Sequence, residues 1–362
     1  MAKRSPLAPP VLPGYSYVRA LGSGGFADVF LYRQDMPRRE VAVKVLESSA
    51  VSAELLDNEV DVMASLSAHP SILTVYEASI SADGRPYMVM EFCPGSLSSR
   101  YRVEQIPIAE VLSIGIRVAS AVEAAHRVGV LHRDIKPSNI LTTQFGHPVL
   151  ADFGVAAMIA TVESEDVAMS VPWSAPELVA RTSSGSIATE VWALAATVYT
   201  LAAGRTPFQS LDGRRDEASH RDRISKARYT PLGRPDAPAA LDAVLAGGMR
   251  RLPGDRYQSA GAFAEALQHV ERELGLPGTS LDIPSSGWAP IAAPSAGEPP
   301  RGPVRSTVQV ESKRARVATA ASASATAKPP AASNRRGTVV GIATGIGIAL
   351  AGLAAAAWWV LL

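Results

Sequence analysis

The chain has 362 residues, enough for about two domains of roughly 150 residues each. Apolar residues make up 47% and charged residues 19%, so a sizeable core is available and wholesale disorder is excluded. The 35 basic and 34 acidic side chains leave a net charge of +1, which argues against a dedicated nucleic-acid binder with its strongly basic surface.

Taken in chain order, residues 1–13 read as a short tail punctuated by Pro6, Pro9, Pro10 and Pro13, without the apolar run of a signal peptide. Residues 14–275 alternate periodic apolar segments with turn signals and hold the globular body. Strands are predicted at Tyr15–Leu21, Ala27–Tyr32 and Val41–Leu46, a helix at Ser52–Leu66, and strands at Ile72–Glu77 and Tyr87–Phe92. After Gly95 the pattern turns helical, at Ile108–Val128, Ala188–Ala203, Ala239–Arg251 and Ala260–Leu274, with short strands at Ile140–Thr142 and Val149–Ala151. This predicts an α+β body of two lobes, a small β-rich one over about 14–93 and a larger helical one over about 94–275. No internal repeat is present. The single cysteine, Cys93, forms no internal disulfide and fits a reducing compartment.

Residues 276–337 are rich in Pro, Ala, Ser and Gly without periodicity, as expected of an extended linker. Their stretch 301–336 holds eight basic residues and one acid, Glu311, so residues 1–300 carry a net −6. Residues 338–362 hold no charge. As a helix, the 24 residues Val339–Leu362 span about 36 Å against a hydrocarbon core of about 30 Å. Trp358 and Trp359 sit where an interfacial belt belongs, and Arg335 and Arg336 place the body on the cytoplasmic side. The expectation is a single-pass, C-terminally anchored protein of the cell membrane with nothing outside; the alternative is a buried or disordered Ala-rich tail. Gly341 and Gly345 form a GxxxG compatible with helix pairing and a homodimer.

The residues that carry chemistry begin with Leu21-Gly22-Ser23-Gly24-Gly25-Phe26-Ala27-Asp28-Val29, set between two strands. Glycines let backbone amides approach a polyphosphate, although such a run is as often a flexible hairpin. Val41-Ala42-Val43-Lys44 follows on the next strand. A lysine within an apolar strand is costly unless it meets anions, and the chain has only six lysines against 29 arginines; the alternative is an edge-strand lysine facing solvent. The strongest signal is Leu131-His132-Arg133-Asp134-Ile135-Lys136-Pro137-Ser138-Asn139-Ile140-Leu141, which puts a carboxylate, a cation and an amide at i, i+2 and i+5 between a helix and a strand. The aspartate can accept the hydrogen bond of an attacking hydroxyl, and the asparagine supplies a neutral oxygen for Mg²⁺. Ala151-Asp152-Phe153-Gly154 follows a short strand that can aim Asp152 at metal. No Cys/His spacing suggests zinc, and His126 and His147 read as helix-end and turn residues.

Together these motifs resemble the eukaryotic-like Ser/Thr protein kinases of bacteria, over about residues 14–275. The resemblance implies a bilobal protein-kinase fold and Mg²⁺-dependent transfer of the ATP γ-phosphoryl to protein serine or threonine, with Mn²⁺ as an alternative metal and autophosphorylation included. It implies that Leu21, Gly22, Ser23, Gly24, Val29, Ala42, Met90, Glu91 and Cys93 surround the nucleotide, with Met90 as gatekeeper and Glu91–Cys93 as hinge. Lys44 matches the strand lysine on the α- and β-phosphates, and Glu59, with Glu54 as its rival, matches the glutamate that pairs with it. Asp134 matches the catalytic base, Lys136 the cation near the transferred group, and Asn139 and Asp152 the metal ligands. Ala175-Pro176-Glu177 matches the end of the activation segment, with Arg256 as Glu177's buried partner. Thr161, Ser164 and Ser170 are the candidate regulatory hydroxyls, and Arg133 would bind a negative charge there; Glu163, Glu165 and Asp166 are expected to supply part of it.

The pattern departs at Ala27, in place of the third loop glycine, at Ser170, in place of threonine, in Val171-Pro172-Trp173, and at Glu190, in place of the aspartate that braces the catalytic loop. Glu190 leaves one alternative open, a kinase-shaped binding module without activity, although Lys44, Asp134 and Asp152 are all present.

Overall fold

The computed structural model describes residues 7–24, 27–46, 66–153, 170–210 and 216–283. Of the predicted linker only residues 276–283 are described; the predicted membrane span lies outside these residues, as does the predicted 52–66 helix except for Leu66. Among the described residues, no helix is long and apolar enough to cross a membrane.

β-Branched and aromatic residues favour β1 (Tyr15–Ser23), β2 (Ala27–Gln34) and β3 (Arg39–Leu46). With β4 (Val75–Ile80) and β5 (Pro86–Glu91) they form an antiparallel sheet in the order β1-β2-β3-β5-β4. β3 is central and reads as a near-continuous apolar run because both of its faces are covered. Val41, Val43 and Val45 pack on the outer face with Phe30, Tyr32, Tyr87 and Val89. Ala42 packs on the other face with Met88 and Met90. Lys44, opposite Val29 and Met88 in the register, shares the Ala42 face. The fourth strand starts later than the predicted Ile72. Ile72 instead bridges Leu150 of the large lobe, where Leu73 donates to the Leu150 carbonyl and the Leu150 amide to that of Ser71.

The second sheet, β6 (Gly95–Ser96), β7 (Ile140–Thr142) and β8 (Pro148–Leu150), opens the large lobe in that order. Its core is helical: α1 (Leu97–Val103), α2 (Ile108–Arg127), α3 (Pro176–Val179), α4 (Ile187–Ala203), α5 (Glu217–Ser225), α6 (Ala239–Gly248) and α7 (Ala260–Glu273). α4 is apolar almost all round and correspondingly buried on nearly every side. A reciprocal Ser186–Thr189 capping box starts it and left-handed Gly204 ends it. α2, α4 and α7 meet at Gly115, where a Cβ would stand 2.9 Å from Leu267 Cδ1 and 3.0 Å from Val198 Cγ2. α5 has no apolar period and was not predicted. Its Asp216 cap and the single buried residue Ile224 hold it.

At both ends, described residues beyond 14–275 pack on the body. Leu12, in the Pro-rich tail, is buried with Phe30 and Tyr32. Leu276 and Leu281, in the predicted linker, pack on the large-lobe core. The buried Glu271 carboxylate requires donors, and it accepts from the Thr279 amide at 2.9 Å and the Thr279 hydroxyl at 2.7 Å.

Candidate active site

The segment between α2 and β7 passes from Val130 to Asn139 in an irregular path pinned from three sides. His132 is fully buried. Its Nε2 lies 2.9 Å from the Ala151 carbonyl and its Nδ1 accepts from the Asp134 amide at 3.2 Å, which makes it the neutral tautomer with the proton on Nε2. Its ring also packs against Phe153, centroids 4.5 Å apart. Thr197 of α4 donates to the Ile135 carbonyl at 3.3 Å. Arg133 and Asp152 both hold left-handed backbone, at φ 67° and 66°, a conformation that non-glycine residues keep only where surroundings enforce it.

Glu190 supplies much of that enforcement. From the first turn of α4, its carboxylate accepts from the Arg133 amide at 2.5 Å and meets His126 Nε2 at 2.7 Å. The two side chains are buried, at 3% exposure for His126 and 4% for Glu190. The longer acid therefore still reaches the loop backbone, and His126, read from sequence as a helix-end residue, is its second partner. Replacing Glu190 by aspartate withdraws the carboxylate by one methylene, so one of the two contacts must lengthen. The expected result is a kcat several-fold lower with little change in ATP affinity, read from initial rates at varied ATP. A kcat at or above that of the native chain would show that the loop does not depend on the length of this acid.

Around this frame the chemical groups converge. Lys44 is 6% exposed and points inward, its Nζ 2.6 Å from Asp152 Oδ1, so it is not the solvent-facing lysine of the alternative reading. Glu59 lies outside the described residues. Ser170 donates its hydroxyl to Asp134 Oδ1 at 2.7 Å, and Lys136 Nζ lies 2.5 Å from Asp134 Oδ2 and 2.7 Å from the Ser170 hydroxyl. Asn139 Nδ2 donates to the Asp134 carbonyl at 2.8 Å and to its Oδ2 at 3.1 Å, which leaves the Asn139 side-chain oxygen turned elsewhere. The Ala151 amide donates to the Asn139 carbonyl at 2.8 Å and ties the Asp152 backbone to the same loop. Burial pushes the Asp152 carboxyl up, but the charge and hydrogen bond of Lys44 outweigh it and hold it below the usual carboxylate range. A depressed folded-state value means that this pair stabilises above the ordinary carboxylate pKa and is lost only as pH falls through the depressed one.

The apolar part of the predicted nucleotide site also assembles. Leu21, Val29, Ala42, Met90 and Cys93 lie in one cluster with Leu141, Val149 and Ala151. The Gly24 amide closes the β1–β2 turn on the Ala27 carbonyl at 2.9 Å, and a Cβ on Gly22 would meet nothing within 4 Å. The Gly22 side of β1 is therefore open to close approach. The Glu91 amide donates to the Thr74 carbonyl at 2.9 Å, and Glu91 lines a groove with Arg39, Tyr76 and Phe92. Among the described residues no group of three His, Cys, Asp or Glu side chains could cage a metal. The Asp152 carboxylate and the Asn139 side-chain oxygen, which accepts from the Ser138 hydroxyl at 3.4 Å, are instead the hard oxygen donors that suit a cation such as Mg²⁺, which takes one or two protein oxygens and completes its shell from phosphate and water. Burial and the neighbouring Glu91 push the Cys93 thiol up to about 12. Alkylation by iodoacetamide at pH 7.5 is therefore expected to run at least about a hundredfold slower than for an ordinary thiol, as mass spectrometry over time would measure.

Of the predicted regulatory hydroxyls, Thr161 and Ser164 lie outside the described residues. Ser170 is described, and it sits inside the Asp134–Lys136 pair. Beyond it, Trp173 Nε1 donates to Thr200 Oγ1 at 3.1 Å, and Arg256 grips Glu177 with two bonds of 2.6 and 2.8 Å. His126 and His132 are the residues that motif reading left without a role.

This fold and this constellation place the chain in a family. A family model described as protein kinase domain matches residues 15–246, and the chain belongs to that family. It is similar to serine/threonine-protein kinase PknK of Mycobacterium bovis, 36% identical over 277 residues, covering 75% of this chain and 25% of that protein. PknF of Mycobacterium tuberculosis is 34% identical over 300 residues, 78% of this chain and 61% of that one. PknJ of the same species is 32% identical over 297 residues, 77% and 48% respectively. The chain thus spans from a quarter to about three fifths of the length of these relatives.

Proposed function

We propose that the chain transfers the γ-phosphoryl group of ATP to serine or threonine hydroxyls of proteins, its own among them, and is held to the cytoplasmic face of the cell membrane by residues 338–362. The observation that carries the reading is the contact set around Asp134. A hydroxyl, that of Ser170, already donates to this carboxylate at 2.7 Å beside the Lys136 ammonium, while Lys44 and Asp152 face each other across the cleft.

An acceptor hydroxyl placed like that of Ser170 would form the new oxygen–phosphorus bond as the bond to the ADP oxygen breaks, and its proton would pass to Asp134. Lys136 offsets charge on the transferred group, and Lys44 holds the phosphates on the leaving side. A bound Mg²⁺ supplies further charge neutralisation from the Asp152 and Asn139 side. Most of the acceleration then comes from positioning, which the bonds from Glu190, His132 and Thr197 provide. The inactive-module reading rests on Glu190 alone, and Glu190 retains its bond to the Arg133 amide. For Ser170 the surroundings favour a role beside the acceptor over one as an activating phosphosite, since a phosphoryl group there would face the Asp134 carboxylate. Activation through Thr161 or Ser164, binding of the basic linker to anionic lipid and pairing through Gly341 and Gly345 remain parts of the proposal.

The test is incubation of the full chain with γ-labelled ATP, Mg²⁺ and a generic basic protein, followed by identification of the labelled amino acid. Phosphoserine or phosphothreonine is expected. Label confined to tyrosine, or ATP hydrolysis without labelled protein, overturns the proposal. Flotation of the chain with lipid vesicles, lost on removal of 338–362, tests the anchor.

A further inference from the structure

The amino-terminal residues 7–13 do not behave as the free tail that their composition suggests. They run along the outer face of the small-lobe sheet, parallel to β2, and three of their backbone groups are anchored in order. The Leu7 amide donates to Asp28 Oδ2 at 2.6 Å, the Ala8 carbonyl accepts from Arg85 at 2.8 Å, and the Pro10 carbonyl accepts from the Tyr32 hydroxyl at 2.5 Å. Leu12 is 3% exposed among Phe30, Tyr32, Val41 and Val89, and Leu7 packs on the same cluster. Pro9, Pro10 and Pro13 hold φ near −65° and need no hydrogen-bond acceptor for an N–H, so the segment stays extended with little chain entropy to lose on docking. It is a stiff strap.

The place where this strap ends matters. Residues 28, 30 and 32 share one face of β2, so the strap follows a single row of side chains. The last of that row is Asp28, which pairs with Ser23 across β1 and follows directly on the Gly24–Ala27 turn contact. Asp28 is 1% exposed. Its neighbour Val29 turns to the opposite face and lies in the cleft cluster with Leu21 and Ala42. The root of the glycine-rich hairpin is thus held from behind by the strap, while its other face looks onto the cleft.

We infer that the amino-terminal strap is a clamp on this hairpin and that Asp28 is a positioning residue for ATP, acting through the backbone that covers the phosphates. The inference rests on the reading of the cleft as an ATP site. Loss of the Leu7–Asp28 bond frees the hairpin to leave the nucleotide, which weakens ATP without touching the groups that act on the acceptor.

The test uses the full chain with four measurements: KM for ATP, KM for a protein acceptor, kcat and thermal midpoint. Asp28→Ala removes the acceptor of the Leu7 amide, and Leu7→Pro removes the donor while leaving Asp28 in place. Both are expected to raise KM for ATP roughly five- to tenfold, with kcat and the acceptor KM within about twofold of the native values. Asp28→Asn keeps an oxygen for the Leu7 amide and is expected to restore KM for ATP to within about twofold. A KM for ATP unchanged in both disruptive variants overturns the inference. So does a fall in midpoint or kcat alone, which is what a merely structural contact would produce, and so does an asparagine variant as weak as the alanine one. If Asp28→Ala does not fold, Leu7→Pro and Asp28→Asn carry the comparison. Should the native chain bind ATP without transferring phosphoryl, the kinase reading fails, and ATP dissociation constants across the same variants still decide on the clamp.

Discussion

Replacing Glu177 by alanine is expected to destabilise the large lobe by about 3–5 kcal/mol, a fall of roughly 10 °C in the thermal midpoint. Arg256 is the reason. Its side chain is 0% exposed, and each of its five N–H groups has an acceptor. Nε donates to the Arg250 carbonyl at 2.8 Å, Nη1 to Glu177 and to the Ala188 carbonyl at 2.9 Å, and Nη2 to Glu177 and to the Arg251 carbonyl at 3.2 Å. The guanidinium also stands 5.0 Å over the Trp192 ring. Removal of the carboxylate leaves a buried cation with only neutral carbonyls. Because the pair ties the start of α3 to the segment between α6 and α7, the loss should also loosen the chain around Ser170. Glu177→Gln keeps the shape and one good acceptor, so it is expected to lose less. A midpoint within about 2 °C of the native value for Glu177→Ala would mean that the guanidinium finds other compensation.

The second large effect is chemical. Asp134→Asn is expected to lower kcat by about a thousandfold, within the range usual for a lost general base, while ATP affinity changes little. Asp134 touches Ser170, Lys136 and Asn139 and makes none of the contacts of Lys44. Asparagine has nearly the same shape and can still meet the Ser170 hydroxyl. What it lacks is the capacity to take a proton and the charge opposite Lys136. Lys44→Ala is expected to differ by weakening ATP as well, because it removes the cation on the phosphate side. A kcat for Asp134→Asn within about tenfold of the native value would contradict the assignment.

The two lobes and the cleft were legible because the signals are local. Asp134, Lys136 and Asn139 sit within six consecutive residues, and Lys44 stands out in an apolar run whose strand was predicted to within two residues of Arg39–Leu46. Other features depend on partners far away in sequence. The contact of His126 with Glu190 joins residues 64 apart, and nothing around His126 marks it. α5 is held by a cap and one buried side chain, which leaves no apolar period to read. Ile72 looked like a strand residue because it is apolar, yet its bridge to Leu150 belongs to the other lobe. Residues 7–13 and 276–283 have the composition of linkers, and single buried acids, Asp28 and Glu271, accept hydrogen bonds from them. Composition cannot disclose a carboxylate waiting on another element.

The measurement that bears most directly on the account follows ATP binding and γ-phosphoryl transfer in one sample of the native full chain, by calorimetry and by label reaching protein. The geometry of Lys44, Asp134, Lys136, Asn139 and Asp152 predicts both, with label on serine or threonine. Tight Mg²⁺–ATP binding by a folded chain that labels nothing would contradict it and leave a nucleotide-binding module built on the kinase fold.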